Sequence, residues 1–263
     1  MSLVFAAITP HPPILIPEIG KANLDQVAKT KAALEELEQN LYAAKPDVLM
    51  VISPHGELVA DSFTINLADH YHINFESFGN FSVKMDFKGE TVLMVAAKEL
   101  LSQKIPVGVI SNPQLDHGVG VPLYYLARHL PEVSLVPIYF SFLDNISHFE
   151  FGKGLKEIIA ASNKRIAVIA SGDMSHCLSK NAPAPFNPAG KKFDEKIIQL
   201  LEKNDSQSIV NFDPQLVENA AQCGLRSVLI LLGILNGVNY STEILSYEAP
   251  FGVGYLVANF KLN

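Results

Sequence analysis

Four histidines each follow a segment with the pattern of a buried β-strand. They are His11 in ITPHPP, His55 in VISPHGE, His117 in LDHGVG and His176 in SGDMSH. Prolines or glycines lie near each of them, which favours tight and rigid turns. Neutral imidazoles bind transition metals, and they also accept protons near neutral pH. These residue types therefore indicate a site that binds a metal, moves protons, or does both.

Two histidines and one carboxylate, with open coordination positions, form the arrangement that non-haem Fe(II) oxygenases use. Such a set leaves room on the metal for a substrate and O2. Spacing alone does not select the carboxylate, because four acids near these segments are eligible: Glu57, Asp116, Asp173 and Glu248. Two histidines and a carboxylate also suit Zn(II), so the identity of the metal stays open.

Signatures of several other site types are missing from the sequence. It contains no HExxH, no GxSxG and no P-loop, and its glycine-rich segments do not match GxGxxG. Two cysteines without a CxxC motif predict no disulfide framework and favour the cytoplasm. A net charge of −7 without a basic cluster argues against nucleic acid as a partner. No apolar stretch reaches the ~18 residues of a membrane-spanning helix, so no membrane association is expected.

Alternating strands and helices must position the histidines. Continuous apolar runs predict strands buried on both faces at 3–8, 48–52, 107–110, 135–140 and 166–170. Helical periodicity predicts helices at 23–43, 91–103, 121–130 and 149–161. Asp213-Pro214 is a helix start signal, and one helix is expected from there toward Leu235, with Gly237 closing it.

This order of elements predicts an α/β fold. We expect residues 1–263 to form a single domain with a mostly parallel or mixed central sheet flanked by helices on both faces. The composition, 48% hydrophobic and 18% charged, is that of a globular chain. Ligands of open α/β sheets bind beyond the carboxyl ends of the strands. The four histidines are therefore expected to meet at one edge of the sheet.

The ordered motifs TPHPP, SPHG, DHG, GDMSH and YEAPFGVG resemble the class III extradiol ring-cleavage dioxygenases, the LigB-type superfamily. The resemblance covers nearly the whole chain, and it is strongest to the stand-alone members grouped with AmmeMemoRadiSam and Memo-like proteins. It implies an Fe(II) enzyme that opens a catechol- or 2-aminophenol-type ring with O2. Two alternatives stay open: a Memo-like metal-binding accessory protein without ring cleavage, and a zinc-dependent enzyme on the same scaffold.

The resemblance also implies a metal-ligand set by position. His11 and His55 match the two histidine ligands, and Glu248 matches the carboxylate ligand of the dioxygenase branch. Some Memo-like relatives carry cysteine in place of that carboxylate, so the presence of glutamate favours the dioxygenase branch.

The same resemblance implies roles for three further residues. His176 matches the catalytic histidine, which would deprotonate the substrate. His117 matches a histidine that contacts substrate or oxygen. Asp173 would orient His176 or another ligand. Some dioxygenases of the superfamily work with a second subunit, so a companion subunit is one expectation. A homodimer, the commonest soluble homo-oligomer, is the other.

Overall fold

One mixed sheet runs through the protein, which the computed structural model describes over residues 2–263. Its ten strands in that range are β1 (Leu3–Thr9), β2 (Val48–Ser53), β3 (Phe63–Asn66), β4 (His70–Phe75), β5 (Asn80–Gly89), β6 (Val107–Ile110), β7 (Ser134–Tyr139), β8 (Ile166–Ser171), β9 (Tyr240–Glu248) and β10 (Tyr255–Leu262). The order across the sheet is β4-β5-β7-β2-β8-β1-β10-β9, and β3 pairs with both β6 and β7. The central strands β7, β2, β8 and β1 are parallel, whereas β10 and β9 add to β1 in antiparallel fashion.

Helices cover both faces of this sheet. The α-helices are α1 (Pro17–Gly20), α2 (Ala28–Ala44), α3 (Thr91–Leu101), α4 (His117–Leu126), α5 (Asn145–Ala161), α6 (Pro188–Glu202), α7 (Ser206–Val210), α8 (Pro214–Asn219) and α9 (Leu225–Leu235). Within residues 2–263, no helix has the length and apolar character needed to cross a membrane.

The central strands contribute alternate side chains to two separate cores. Every residue of β2 and of β8 is buried. Met50 and Val168 pack in the core that contains α5 and α9, whereas Leu49 and Ala167 pack in the core that contains α2 and α4. Because successive side chains of a strand point to opposite faces, a strand covered on both sides must be apolar throughout. The α/β fold with a mixed central sheet is confirmed.

The helix predicted from Asp213 to Leu235 is instead two helices. α8 ends at Asn219, and α9 begins only at Leu225. Between them Ala221 adopts a positive φ of 50°, which an α-helix cannot contain. The break creates a short loop at the carboxyl end of β8. The predicted helix end is correct, since α9 stops at Leu235 and Gly237 follows with a positive φ of 74°.

Two glycines let the backbones of α5 and α9 touch. A Cβ atom added at Gly233 would lie 2.1 Å from the carbonyl oxygen of Phe149 and 2.9 Å from the Cα atom of Gly152. A Cβ atom at Gly152 would in turn lie 2.0 Å from the carbonyl oxygen of Ile230. Backbone atoms cannot rotate away as a side chain can, so any larger residue must push the helices apart.

Gly233→Ala is therefore expected to destabilise the protein by about 2 kcal/mol, as overpacked cores do. The direction of this stability change is informative, because replacing glycine by alanine normally stabilises a helix interior. Urea unfolding measures the effect. Gly108→Ala is the control, since a Cβ atom there meets nothing closer than 3.5 Å. Equal stability of Gly233→Ala and the wild type would contradict the close helix contact.

Candidate metal centre

Three adjacent strands end at one edge of the sheet, and a candidate site residue follows each of them. His11 comes two residues after β1, His55 two residues after β2 and Asp173 two residues after β8. β8 lies between β1 and β2 and is parallel to both. His117 is the first residue of α4, which packs against β2 and β8. The sheet therefore brings these four residues to one edge.

The imidazoles of His11 and His55 face each other, and their Nε2 atoms are 2.9 Å apart. His117 lies beside both. Its ring stacks on that of His55 with 4.4 Å between centroids, and it meets the His11 ring edge-on at 5.5 Å. Two imidazole nitrogens at this distance need either a proton or a cation between them. The pair is thus arranged to share a proton or to bind a cation.

Ser171 fixes the tautomer of His11. Its hydroxyl donates to the carbonyl oxygen of Gly118 at 2.5 Å and lies 3.0 Å from Nδ1 of His11. Because the hydroxyl proton is already used, Nδ1 of His11 must be the donor in the second contact. The lone pair of His11 is then on Nε2, the atom that faces His55. Asp173 adds to this support, since its carboxylate accepts a hydrogen bond from the backbone N–H of His11 at 3.0 Å.

Asp116 connects the His55 loop to the start of α4. Its Oδ1 atom accepts hydrogen bonds from the Ser53 hydroxyl at 2.6 Å and from the backbone N–H of Val119 at 3.3 Å. The Ser53 hydroxyl in turn accepts from the backbone N–H of His55 at 3.3 Å. These bonds hold His55 and His117 in a fixed relation.

Cys223 is the third donor at this edge. Its Sγ atom lies 3.7 Å from Nε2 of His11 and 3.8 Å from Nε2 of His176. One donor atom from each of His11, His55 and Cys223 lies within 4.8 Å of the other two. His11 is buried, Cys223 is partly buried and His55 is exposed, so the group is open to solvent on one side.

The break between α8 and α9 delivers Cys223 to the histidines. The backbone N–H groups of Cys223 and Gly224 both donate to the carbonyl oxygen of Asp173, at 3.3 and 2.9 Å. A Cβ atom at Gly172 would lie 2.2 Å from the Cα atom of Gly224. Only glycines allow this approach, which joins the loop to the end of β8.

The structure does not bring Glu248, the expected carboxylate ligand, to this group. Its Oε1 atom accepts hydrogen bonds from both the backbone N–H and the hydroxyl of Thr30, each at 2.7 Å. Thr30 lies in the first turn of α2, and Val27, the residue before that helix, supplies no side-chain cap. Glu248 thus accepts hydrogen bonds at the N-terminus of α2, where no neighbouring side chain caps the helix. Cys223, and not Glu248, is the third donor near His11 and His55.

All four histidines of the centre are held in the neutral form. Burial lowers the pKa of His11, His117 and His176 below the usual value, and neighbouring histidines lower that of His11 further. Burial and His117 lower the pKa of His55 to about 4. Neutral imidazoles have a lone pair free for a metal or a proton. The centre therefore fits a divalent cation through two imidazoles and one thiolate, a donor set found with zinc and other transition metals.

A buried carboxylate supports the loop that carries His176. Asp194 of α6 accepts hydrogen bonds from the backbone N–H of Ser175 at 2.9 Å and from the Tyr247 hydroxyl at 2.5 Å. Gly254 leaves room for it, because a Cβ atom there would lie 2.3 Å from Oδ2 of Asp194. Burial raises the pKa of Asp194 to about 6.

Asp194 is expected to make stability fall between pH 4 and 6. The unfolded chain loses this proton near pH 3.8, whereas the folded chain keeps it up to about pH 6. The free energy of unfolding therefore falls over that interval, by roughly 3 kcal/mol in total. Asp194→Asn should remove that part of the pH dependence in urea unfolding of the metal-free protein. Asp61→Asn, at an exposed site, is the control. A difference between wild type and Asp194→Asn that does not vary with pH would refute the assignment.

Residues 5–258 match the family model described as the catalytic LigB subunit of aromatic ring-opening dioxygenases. The chain belongs to the LigB family. The match includes every residue of the centre described above, so the four histidines and Cys223 all lie within the family's own domain.

The names of three relatives of this LigB family chain describe different kinds of protein. Protein CA_C1420 of Clostridium acetobutylicum is 33% identical over 99% of the chain, which spans 58% of that protein's length. The 2-aminophenol 1,6-dioxygenase beta subunit of a Pseudomonas species is 23% identical over 99% of the chain and 94% of its own length. A MEMO1 family protein of Methanococcus maripaludis is 26% identical over 52% of the chain and 46% of its own length.

A solved structure has the same fold as this LigB family chain. The crystal structure of the uncharacterised protein JW3007 from Escherichia coli superposes with a TM-score of 0.68 at 17% sequence identity. The superposition covers 97% of this chain and 99% of that one. At this identity the likeness concerns the fold alone.

Sequence reasoning missed two residues of this LigB family centre. Cys223 belongs to no CxxC motif and lies inside the helix predicted from Asp213 to Leu235; the local signal against that helix is Gly224 beside it. Ser171 lies at the end of a buried strand, where nothing in the sequence indicates contact with a histidine. The remaining histidines lie outside the centre: His70, His72, His129 and His148.

Proposed function

We propose that this protein is a metal-dependent, ring-opening dioxygenase that acts on a catechol- or 2-aminophenol-type substrate with O2. The observation that carries the proposal is the convergence of His11, His55, His117 and His176 at one open sheet edge. Membership of the LigB family supports it, as do relatives named 2-aminophenol 1,6-dioxygenase beta subunit and, from Beta vulgaris, 4,5-DOPA dioxygenase extradiol. The second of these is 23% identical over 72% of the chain.

We propose that His11, His55 and Cys223 hold the metal. When bound, Fe(II) would supply Lewis acidity that lowers the pKa of a substrate hydroxyl, together with redox chemistry toward O2. His11 offers Nε2 because the Ser171 hydroxyl oxygen accepts a hydrogen bond from the Nδ1–H group. The Cys223 thiol has a pKa that burial raises, so it is protonated unless a cation is present. Metal binding at this centre is therefore expected to release a proton from Cys223.

His176 is the proposed base for the substrate hydroxyl. Its Nε2 atom lies 3.8 Å from Sγ of Cys223, beside the ligands but outside the ligand group. Its lowered pKa keeps the ring neutral and able to accept a proton. His117 is placed to hold the substrate, and the ring of Phe78 meets that of His117 edge-on at 5.1 Å. Phe78 is partly exposed and gives an aromatic substrate a surface to pack against.

A second candidate function follows from Cys223. A thiolate in the third position departs from the 2-His-1-carboxylate set of Fe(II) oxygenases and suits Zn(II). The chain would then be a zinc enzyme or a metal-binding accessory protein, in line with its MEMO1 family relatives. The expected companion subunit stays a prediction, with the beta-subunit relative as its support.

Metal analysis and oxygen uptake separate these functions. The protein is purified anaerobically, its metal content is determined, and a panel of catechols and 2-aminophenols is tested with an oxygen electrode. Stoichiometric iron with substrate-dependent O2 uptake is the expected result. Stoichiometric zinc, with no O2 uptake after reconstitution with Fe(II), would contradict ring cleavage and favour the second candidate.

A further inference from the structure

The outer surface of α3 is apolar, like the surface that the helix buries. On the inner side, Leu93 and Ala97 pack in the core that also contains α5. On the outer side, Val92, Val95 and Leu100 are 77%, 44% and 43% exposed. A surface helix normally has polar and charged residues on the side away from the core, and a helix that is apolar all round is normally buried. The outer surface of α3 therefore indicates that another chain covers it.

Three residues of this outer surface, Val92, Ala96 and Leu100, are spaced four apart and form one row along the helix. The row consists of a large, a small and a large side chain, an order that is the same in both directions. If two such rows cross antiparallel at their alanines, Val92 of each copy lies beside Leu100 of the other. The small alanines then allow the two helices to approach closely. An interface about a two-fold axis requires this reciprocity, because each residue pair occurs twice.

A recess of about 540 Å³ lies beside the row. All three residues of the row line it from α3, and Ile158 and Ala161 line it from α5. Leu93 and Ile158, which also line the recess, are buried and make its floor apolar. A ridge and a groove on the same surface allow two copies to interlock, since the row of each copy can enter the groove of the other.

The charges around the recess are nearly balanced, although the whole chain has a net charge of −7. Lys164 pairs with Glu90 at one end of the recess. Lys98 and Glu99 are exposed neighbours of opposite sign on α3, and Glu157 is the remaining charge. Two copies repel each other least where their surfaces are nearly neutral. Nucleic acid or an anionic membrane would instead require a basic cluster.

The recess lies at the end of the sheet opposite the metal centre. Ser162 and Lys164, which line the recess, come before β8, whereas Asp173 comes after that strand. A chain that covers α3 therefore leaves the metal centre open. Association and metal binding can thus be measured independently on the same protein.

We propose that two copies of this protein associate through α3, with the row of Val92, Ala96 and Leu100 crossing the same row of the other copy antiparallel at Ala96. A second copy matches the reversible order of the row, the groove beside it and the nearly neutral surroundings. This inference does not depend on the proposed ring-opening function.

Sedimentation equilibrium of the full chain tests the association. The wild type should be a dimer, and Val92→Lys should raise the dissociation constant at least 10-fold, because it places an unpaired charge in an apolar contact. Ala96→Leu should also weaken association, although it makes the surface more apolar, because the larger side chain separates the helices. Tyr42→Lys is the control, since Tyr42 is 54% exposed on a different helix, α2. Unchanged metal content in each variant would show that the fold is intact.

Cysteine cross-linking tests the geometry. Under mild oxidation, Ala96→Cys should form a disulfide-linked dimer, because the two-fold axis places residue 96 against itself within the Cα separation of about 7 Å that a disulfide permits. Val92→Cys should cross-link to Leu100→Cys in a mixture of the two and not to itself. The wild type, with Cys177 and Cys223, controls for the native thiols.

Three results would overturn the inference. A monomeric wild type would exclude the second copy and assign α3 to a different protein, such as the expected companion subunit. Wild-type affinity in Val92→Lys would place the dimer contact elsewhere on the chain. Cross-linking of Val92→Cys to itself, without cross-linking to Leu100→Cys, would exclude the antiparallel crossing.

Discussion

Cys223→Ala is expected to lose its metal, whereas Glu248→Gln keeps a full complement. The Sγ atom of Cys223 is the third donor within 4.8 Å of the His11 and His55 nitrogens. Loss of residues that merely support a ligand weakens metal affinity by about 10- to 100-fold, so loss of a ligand should exceed about 100-fold. His11→Ala should show the same loss. Metal content is measured after anaerobic purification and dialysis against a competing chelator.

Glu248→Gln is expected to lower the stability of the protein and to leave its metal content unchanged. It weakens the acceptor of two hydrogen bonds from Thr30 and removes a negative charge from the N-terminus of α2. A decrease of about 1 kcal/mol in the free energy of unfolding is expected. Cys177→Ala controls for thiol loss, since Cys177 is buried and its Sγ contacts backbone carbonyl oxygens. If Cys223→Ala kept its metal and Glu248→Gln lost it, Glu248 and not Cys223 would be the third ligand.

His176→Asn is expected to bind metal normally and to lose about 100- to 10,000-fold in kcat, the range typical of a missing general base. His176 lies beside the ligand group without belonging to it. Because burial lowers its pKa below 6.5, the neutral base form persists at neutral and mildly acidic pH. The fall of wild-type kcat on the acid side should therefore begin at a lower pH than an unperturbed imidazole would give.

Initial rates of O2 uptake and metal analysis of the same preparations test His176. His129→Asn is the matched control, since His129 is exposed and contacts Glu38 through Nδ1. Unchanged turnover in His176→Asn would remove His176 from proton transfer. Loss of metal together with turnover would instead make His176 a ligand.

The sequence alone was sufficient to predict the α/β class and the two-sided burial of the central strands. Apolar runs such as Val48–Ser53 can be satisfied only where helices cover both faces of a sheet. The positions of His11 and His55 after β1 and β2 followed from the same pattern, because parallel neighbours end at the same edge. Local sequence determines these features, because the apolar pattern of a strand and the residue at which it ends depend on nearby residues.

The proposed third ligand depends on tertiary structure. Cys223 and His11 are 212 residues apart and meet because glycines at 172 and 224 allow two backbone segments to touch. The role of Glu248 likewise depends on Thr30, 218 residues away. The helix break before α9 and the cap of α2 by Glu248 depend on the free energy of long-range contacts. A local sequence pattern does not reveal such contacts. The histidines could therefore be predicted from the chain, whereas the choice between thiolate and carboxylate required the fold.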